Sequence, residues 1–578
     1  MLETKSIDEH IVFADFFDTR MMKGLAYLLS QRLSEGHICL DIEEYNTKNN
    51  KEENPYWNKV FELNKIQKNN FVGEGKPILI EGNRAYLNKY YHYETDFLDK
   101  IKFLRKQKQT TQKGLQEALD LLFESKQEID WQLLAVLTAI IEPFSIITGG
   151  PGTGKTTTVA KLLAVLFMMD VNTKVRLVGP TGKAAARINE SLQLSKEALP
   201  VSDVIKEKFT DIQASTVHSM LGTIRNSTKF KHHSEHYLDY DVIIVDESSM
   251  IDMDLMAKLM DAVGDKTKVI LLGDKHQLSS VGAGSVFGDL CQSLGDEMNC
   301  FSEERISFFS AFANVSILKK EKKTGLLSNA VVELQHSYRF KAGKGIGLYS
   351  KEVLQGNIPN KNTCAVSPDG KDVVIQKEDY NAIDLYKKIE LYKTYIQEDD
   401  TLEALQKLNN IRILCVTRKG RWGVSVYNKA VEDYLVEKGL LDIQDTHYHN
   451  QPIMVTKNNH SLGLFNGDVG IIRKDESGEL KAFFDKKGVL TPVLIGYLTH
   501  METVFAMTIH KSQGSEFREV VVVLPKDEDM PILTRELLYT AVTRAKEAVL
   551  VLGEDMVIAS TIARKVQRTS GIQLRIGK

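Results

Sequence analysis

The chain has 578 residues, room for about four domain-sized units at roughly 150 residues each. Its 43% hydrophobic and 26% charged residues are ordinary for a globular protein, and no run of ~20 apolar residues offers a membrane span. A net charge of −3 gives no global signal for nucleic acid, so any such partner would need a local groove of Lys, Arg and hydroxyl groups.

The first residues, Met1-Leu-Glu-Thr-Lys-Ser6, open no secretory signal, because acidic residues interrupt them early. Five cysteines with no C-x-x-C pair point to a reduced, cytoplasmic chain without structural zinc. Residues 11–33 show helical apolar spacing, and 44–59 read as a polar surface loop. Residues 77–80 and 85–87, separated by Glu-Gly-Asn-Arg, read as a hairpin. No catalytic constellation falls in 1–115, which reads as a recognition or docking unit. At its end Lys102, Arg105, Lys106, Lys108 and Lys113 form a basic run, suited either to phosphate or to a solvated helix.

Residues 116–335 alternate strand and helix. The strands are expected at 144–148, 175–178, 242–245 and 269–272, which argues a parallel sheet with helices on both faces. After the first strand comes Gly149-Gly-Pro-Gly-Thr-Gly-Lys-Thr156, and a helical run follows it. Strand, glycine loop and helix are the context of a G-x-x-x-x-G-K-[ST] phosphate loop. Gly149, Gly150, Pro151, Gly152, Thr153 and Gly154 would surround a phosphate chain with backbone N–H groups, and the helix N-terminus adds positive charge. Lys155 would reach the β/γ-phosphates and the Thr156 hydroxyl would hold Mg²⁺. Upstream, Gln132 offers an amide suited to an adenine edge, or is simply an exposed helix residue.

Asp246-Glu247 closes the third strand. Asp246 would hold Mg²⁺ through water, and Glu247 would orient and deprotonate an attacking water; alternatively the pair caps a helix opening at Ser248. Gly273-Asp-Lys-His-Gln277 follows the next strand, where Gln277 could bond a γ-phosphate. His232, His233 and His236 have no nearby cysteine and read as a solvated loop rather than a metal site.

Residues 336–578 form a second α/β unit. His336-Ser-Tyr-Arg339 opens it, and Leu538-Tyr-Thr-Ala-Val-Thr-Arg-Ala545 reads as a helix carrying Arg544. Arg339 and Arg544, coming from a second unit onto phosphates held by the first, would act as arginine fingers and make hydrolysis depend on closure. Within this unit, 426–500 reads as a small inserted β-barrel with a hairpin turn at Asn466-Gly467. In Thr508-Ile-His-Lys-Ser-Gln-Gly-Ser-Glu516, the residues Thr508, His510 and Lys511 suit a sugar-phosphate backbone, while Gln513, Gly514 and Glu516 suit the nucleotide side.

In order, Gly149–Thr156, Pro180-Thr-Gly-Lys-Ala184, Asp246-Glu-Ser-Ser249, Gly273–Gln277, Tyr338-Arg339, Thr508–Ser515 and Thr540–Arg544 resemble the motifs of superfamily 1 helicases. Thr216-Val-His-Ser-Met-Leu-Gly222, His232-His233, Gly420-Arg-Trp-Gly-Val424, Leu462-Gly-Leu-Phe-Asn-Gly-Asp468 and Thr534-Arg-Glu-Leu-Leu-Tyr-Thr-Ala541 narrow the resemblance to the RecD family, the α subunits of bacterial exodeoxyribonuclease V. The resemblance implies two RecA-like motor domains, an N-terminal docking domain on the γ subunit and an SH3-like insertion. It also implies an ATP- and Mg²⁺-dependent 5′→3′ DNA helicase in a heterotrimer that processes double-strand breaks, with the nuclease in the β subunit. Thr181, Lys183, Thr216 and His218 would then line one side of a single-strand groove, and Thr508, His510 and Lys511 the other. The stretch 44–54 has no place in the family pattern. Two rival readings remain: a non-motor subunit whose ATP site gates assembly, and a free-standing helicase, whose relatives usually carry a longer N-terminal region.

Overall fold

The computed structural model describes residues 8–48, 54–107, 113–124, 128–295, 298–316, 318–321, 325–340, 344–359, 373–380, 383–459, 461–486 and 488–576. The first seven residues, Lys108 of the basic run and 49–53 of the polar stretch lie outside them.

Two parallel sheets carry the fold. The first runs in the order Val331–Leu334, Phe144–Gly149, Lys268–Gly273, Val242–Val245, Val175–Gly179, Ser215–Thr216. Phe144–Gly149, Val242–Val245 and Lys268–Gly273 are buried at every position, as a sheet covered on both faces requires. Side chains alternate between the faces. Ile147, Ile244, Ile270 and Leu272 meet the helices Trp131–Ile141 and Lys155–Met169. Ile146, Ile243, Val269 and Leu271 meet the helices Met253–Asp261 and Asn88–Lys106. The second sheet, also parallel, runs Val373–Lys377, Ala545–Leu552, Phe517–Val523, Ile411–Cys415, Ala506–Thr508.

A five-stranded antiparallel sheet interrupts the second unit in the order Val489–Leu494, Leu480–Lys486, Val469–Lys474, Gln451–Val455, Met501–Thr503. Ile453, Val455, Ile472 and Phe484 give it a core of its own. Among the described residues its two outer strands do not pair with each other, so the ladder is open. The strands span 451–503, while the helix Val424–Glu437 packs Val424, Tyr427 and Val431 beside Ile411 and Ile413 of the parallel sheet. Asn466-Gly467 does form a tight turn, with the Asp468 N–H donating to the Phe465 carbonyl (3.0 Å). That turn ends a long 456–468 connection and does not join neighbouring strands directly.

The N-terminal region corrects the sequence analysis in three places. The helical run at 11–33 is broken into Glu9–Ala14 and Arg20–Ser34, capped by the Asp8 and Thr19 side chains. The stretch read as a loop from 44 is partly the helix Ile42–Lys48 with Tyr45 buried, and buried Asn54 donates to the Gly24 carbonyl (3.0 Å). The hairpin is present as Ile78–Glu81 and Arg84–Leu87, with Cys39–Asp41 as a third strand. Finally, the helix Asn88–Lys106 belongs to the first sheet's core. Arg105 of the basic run is spent on Glu142 (3.1 Å) and on the carbonyls of Leu326 and Ser328, so it is a structural residue rather than a phosphate contact. Residues 566–576 return to this region, where Ile572 and Ile576 are buried with Ile38, Tyr86 and Phe97.

Candidate active site

The glycine loop leaves the C-terminal end of a buried strand. Gly152 (φ +74°) and Gly154 (φ +84°) are left-handed, and a Cβ there would collide with Arg339 Cβ and Gln132 Nε2 respectively. Only glycine lets the backbone N–H groups turn toward the cavity while the chain passes those neighbours. Lys155 begins the following helix, and its Nζ donates to the carbonyls of Gly149 (2.6 Å) and Gly150 (3.1 Å). Thr153 Oγ1 also donates to the Gly150 carbonyl (2.9 Å). A cavity of about 740 Å³ opens here, with Gln132, residues 151–156, Asp246, Glu247, Gln277, Arg339, Gly514, Glu516 and Arg544 among its lining. Gln132 is buried against the loop on a helix capped by Asp130, which removes the exposed-helix alternative.

Asp246 and Glu247 follow Val245 at the end of their strand. Asp246 Oδ1 accepts from the Glu247 N–H (2.8 Å) and stabilises Glu247 in a left-handed conformation, φ +50°, rare for a residue with a side chain. Burial, then the Glu247 charge beside it, push the Asp246 carboxyl above its ordinary value. The helix-cap alternative is not realised. The turn Ser248–Met250 takes no side-chain cap, and Asp252 caps the helix that follows. Thr156 lines the same cavity, so this pair of oxygen donors with an under-neutralised carboxylate fits a hard divalent cation.

Gln277 is fixed from both units. Its Oε1 accepts from Arg544 Nη2 (2.5 Å), and its Nε2 donates to Asp274 Oδ2 (3.1 Å). Tyr539 Oη donates to the same carboxylate (2.9 Å). Contrary to the expectation from sequence, Arg544 is not on a helix. The helix Arg535–Val542 ends before it, and the residue lies fully buried at the threshold of the strand Ala545–Leu552. Its Nε and Nη1 donate to the carbonyls of Thr540 (3.1 Å) and Ser515 (3.4 Å). Arg339 also departs from expectation. It follows the first sheet's edge strand, and the neighbouring Tyr338 N–H donates to the Gly152 carbonyl (2.8 Å), so only Arg544 is presented by the second sheet.

Glu516 is the second unit's carboxylate in the cavity. It pairs with Arg339 and with Arg187, which also donates to the Gly514 carbonyl (3.1 Å). Burial opposes its ionisation, but Arg187 and Arg339 outweigh burial and hold the carboxyl at about 2. Gln513 points elsewhere, donating to the Leu278 carbonyl (2.9 Å). Arg187 was missed in the sequence. It sits one turn beyond Lys183 on the helix Gly182–Ala198, and nothing local marks it.

The residues assigned to a polymer groove lie at strand ends outside the cavity. Thr181 and Thr216 cap the helices Gly182–Ala198 and Val217–Leu221. His218 is exposed beside Phe230 (5.8 Å). Gly182 lies under the Phe465 ring, and Lys183 is close to Gly467. On the second sheet, Thr508 Oγ1 accepts from the Lys511 N–H (3.3 Å), while Lys511 Nζ pairs with Glu502 (2.6 Å). Burial, then Arg568, lower the pKa of His510. Half-buried His232 and exposed His236 are stacked on each other (4.5 Å), in keeping with a polar loop.

Residues 132–283 match the model of the AAA domain family, and 503–552 match the UvrD-like helicase C-terminal domain. The chain is 34% identical to the RecBCD enzyme subunit RecD of Haemophilus influenzae, over 87% of this chain and 81% of that one. It is 32% identical to the RecBCD enzyme subunit RecD of Mycolicibacterium smegmatis, over 98% and 95%. The ATP-dependent RecD2 DNA helicase of Deinococcus radiodurans is 28% identical over 70% of this chain, but only 46% of its own length is covered.

Proposed function

The chain belongs to the RecD family, and from that premise we propose that it is the ATP-driven 5′→3′ DNA motor of a helicase–nuclease assembly that processes double-strand breaks for homologous recombination. The observation that carries this reading is the meeting of Lys155, Asp246, Glu247 and Gln277 from the first sheet with Arg544 from the second around one cavity. Neither sheet alone completes the set, so turnover depends on how the two stand, which is what a motor needs.

In this reading Lys155 exchanges its backbone carbonyls for the β/γ-phosphates, and Gln132 faces the adenine. Thr156 and Asp246 would hold Mg²⁺, whose chemistry is to neutralise phosphate charge. Glu247 takes the proton of the attacking water, and its strained backbone fixes its direction. Gln277 and Arg544, already bonded to each other, meet the charge that develops on the transferred phosphoryl group. Arg339 does the same on leaving Glu516. Thr181, Lys183, Thr216 and His218 face Thr508, His510 and Lys511 across a single-strand groove and touch sugar-phosphate.

The units 116–335 and 336–578 are then RecA-like motors, the antiparallel sheet is the SH3-like insertion, and 1–115 docks on the γ subunit. The β and γ subunits complete a cytoplasmic heterotrimer in which this chain carries no nuclease site. Identities of 34% and 32% to RecD subunits over 87% and 98% of this chain, against 28% over 70% for the Deinococcus helicase, favour this reading over a free-standing helicase.

The test is steady-state ATP hydrolysis with and without single-stranded DNA, alongside strand separation on duplexes with a 5′ or a 3′ overhang. DNA stimulation, opening only from the 5′ overhang, and loss of both with Lys155→Gln are expected. Nucleotide binding with no stimulation, even with partner subunits present, would favour an ATP-gated assembly subunit instead.

A further inference from the structure

The loop that carries Gln277 is held at its two halves by different parts of the molecule. At Leu278 the holder is the second unit: the Leu278 N–H donates to Thr540 Oγ1 (3.0 Å), and its carbonyl accepts from Gln513 Nε2 (2.9 Å). At Ser280 and Gly282 the holder is Arg568, some 290 residues away in sequence, on the returning segment 566–576. Its Nη2 donates to the Ser280 carbonyl (2.7 Å), and its Nη1 donates to the Gly282 carbonyl (3.2 Å) and to Ser280 Oγ (3.5 Å). Residues 274–284 have no regular secondary structure, so their carbonyls have no ladder of their own to join. A cationic donor shared between two of them is a strong tether.

The same segment is tied to the N-terminal unit. The Thr569 carbonyl accepts from the Ile38 N–H (2.8 Å), and the Thr569 N–H donates to His37 Nδ1 (3.0 Å). The Gly284 N–H donates to the Gly36 carbonyl (2.9 Å). A Cβ on Gly36 would stand 2.7 Å from Arg568 Cζ, and one on Gly284 would stand 2.7 Å from Ile38 Cδ1. The guanidinium therefore lies between the N-terminal unit, where Gly36 leaves room for it, and the Gln277 loop at Ser280 and Gly282, while Gly284 packs on Ile38 and joins the same two parts directly.

We infer that Arg568 is a positioning residue for ATP turnover, holding the second half of the Gln277 loop in register with the N-terminal unit so that Gln277 and Arg544 stay aimed at the cavity. The inference rests on the proposed roles of Gln277 and Arg544. Arg568 does not line the nucleotide cavity, so it acts on the loop and not on nucleotide. Without it the loop keeps its anchors at Leu278 and at Ala283–Gly284 but loses the one at Ser280 and Gly282 between them, and Gln277 samples a wider range of positions. An interaction needed only in the transition state costs kcat and leaves binding alone.

The test uses the full chain with Arg568→Ala, Arg568→Lys and, as a control, Arg575→Ala. Arg575 anchors the same segment to Glu81 (2.9 Å) without touching the loop. Arg568→Ala is expected to lower DNA-stimulated kcat about tenfold, with KM and the Kd of a fluorescent ATP analogue within about twofold. Arg568→Lys should fall between, because one donor can still reach a carbonyl. Hydrogen exchange should rise at 280–284 and at 36–39 in Arg568→Ala. Arg575→Ala should leave kcat unchanged. A kcat within twofold of the parent in folded Arg568→Ala overturns the inference, as does an equal loss in Arg575→Ala, which would mark general loosening of the segment. A parent chain with no Lys155-dependent hydrolysis even with partner subunits present would instead overturn the proposed function, and the two failures are distinct.

Discussion

Arg544 has its guanidinium divided among Thr540 and Ser515 of its own unit and Gln277 of the first, a set that is complete only when the two parallel sheets stand as they do. A buried cation with so many fixed partners is pre-aimed, and little reorganisation is left for the moment of reaction. Arg544→Ala is therefore expected to lower kcat by on the order of 10³ while the Kd for nucleotide changes far less. Single-turnover kinetics beside equilibrium binding would check this, and equal losses in both would remove the finger role. At this scale the sequence was legible wherever a residue's place in the fold is set by its immediate neighbours. Lys155, Asp246 and Glu247 take their places from a strand, a loop and a helix start within about ten residues. Arg187, Arg568 and the Tyr539–Asp274 bond were not legible, because their partners lie 327, 288 and 265 residues away.

The helix Gly182–Ala198 lies between two regions of different chemistry. Its N-terminus, with Lys183, is wedged near the 465–468 turn of the antiparallel sheet, and Arg187 one turn later reaches the nucleotide cavity. Burial, then the Arg412 guanidinium, pull the Lys183 ammonium down to about 8, with Asp468 opposing them. An ordinary lysine, near 10.4, stays charged throughout the range between pH 7 and 9, whereas Lys183 loses its proton there. Affinity for single-stranded DNA is accordingly expected to fall by up to roughly tenfold from pH 7 to pH 9, and Lys183→Arg should flatten the curve. Fluorescence anisotropy at constant ionic strength would decide, and a flat profile in the parent chain would take Lys183 out of the groove. The strands were legible here as uninterrupted β-branched runs. The break after Ala14, the end of the Arg535–Val542 helix and the buried Tyr45 were not, since each depends on what packs there and not on local spacing.

At the scale of the whole molecule the region 1–115 is not a detachable module. Glu9–Ala14, Arg20–Ser34 and the small antiparallel sheet share a core of their own, but Phe97, Leu98, Ile101 and Leu104 are built into the first parallel sheet. Those four side chains account for on the order of 6–12 kcal/mol of burial, comparable with the whole stability of a typical domain. A chain starting at residue 116 is thus expected to be insoluble or to melt without cooperativity, as expression and thermal unfolding would show. A soluble, ATP-hydrolysing fragment would contradict this. A division placed at 115 follows the end of a basic run, whereas the helix Asn88–Lys106 before it already packs into the first sheet's core.

The tie between His37 and Thr569 spans 532 residues. At ~5–20 residues per second of synthesis, on the order of 30–100 s pass between the first partner leaving the ribosome and the second. Throughout that interval the slot at Gly36 stands without Arg568, and Ile38 presents an N–H that has no acceptor yet. The newborn chain therefore spends its growth with the N-terminal unit unlatched, and the loop bearing Gln277 can be drawn taut only when the last stretch arrives.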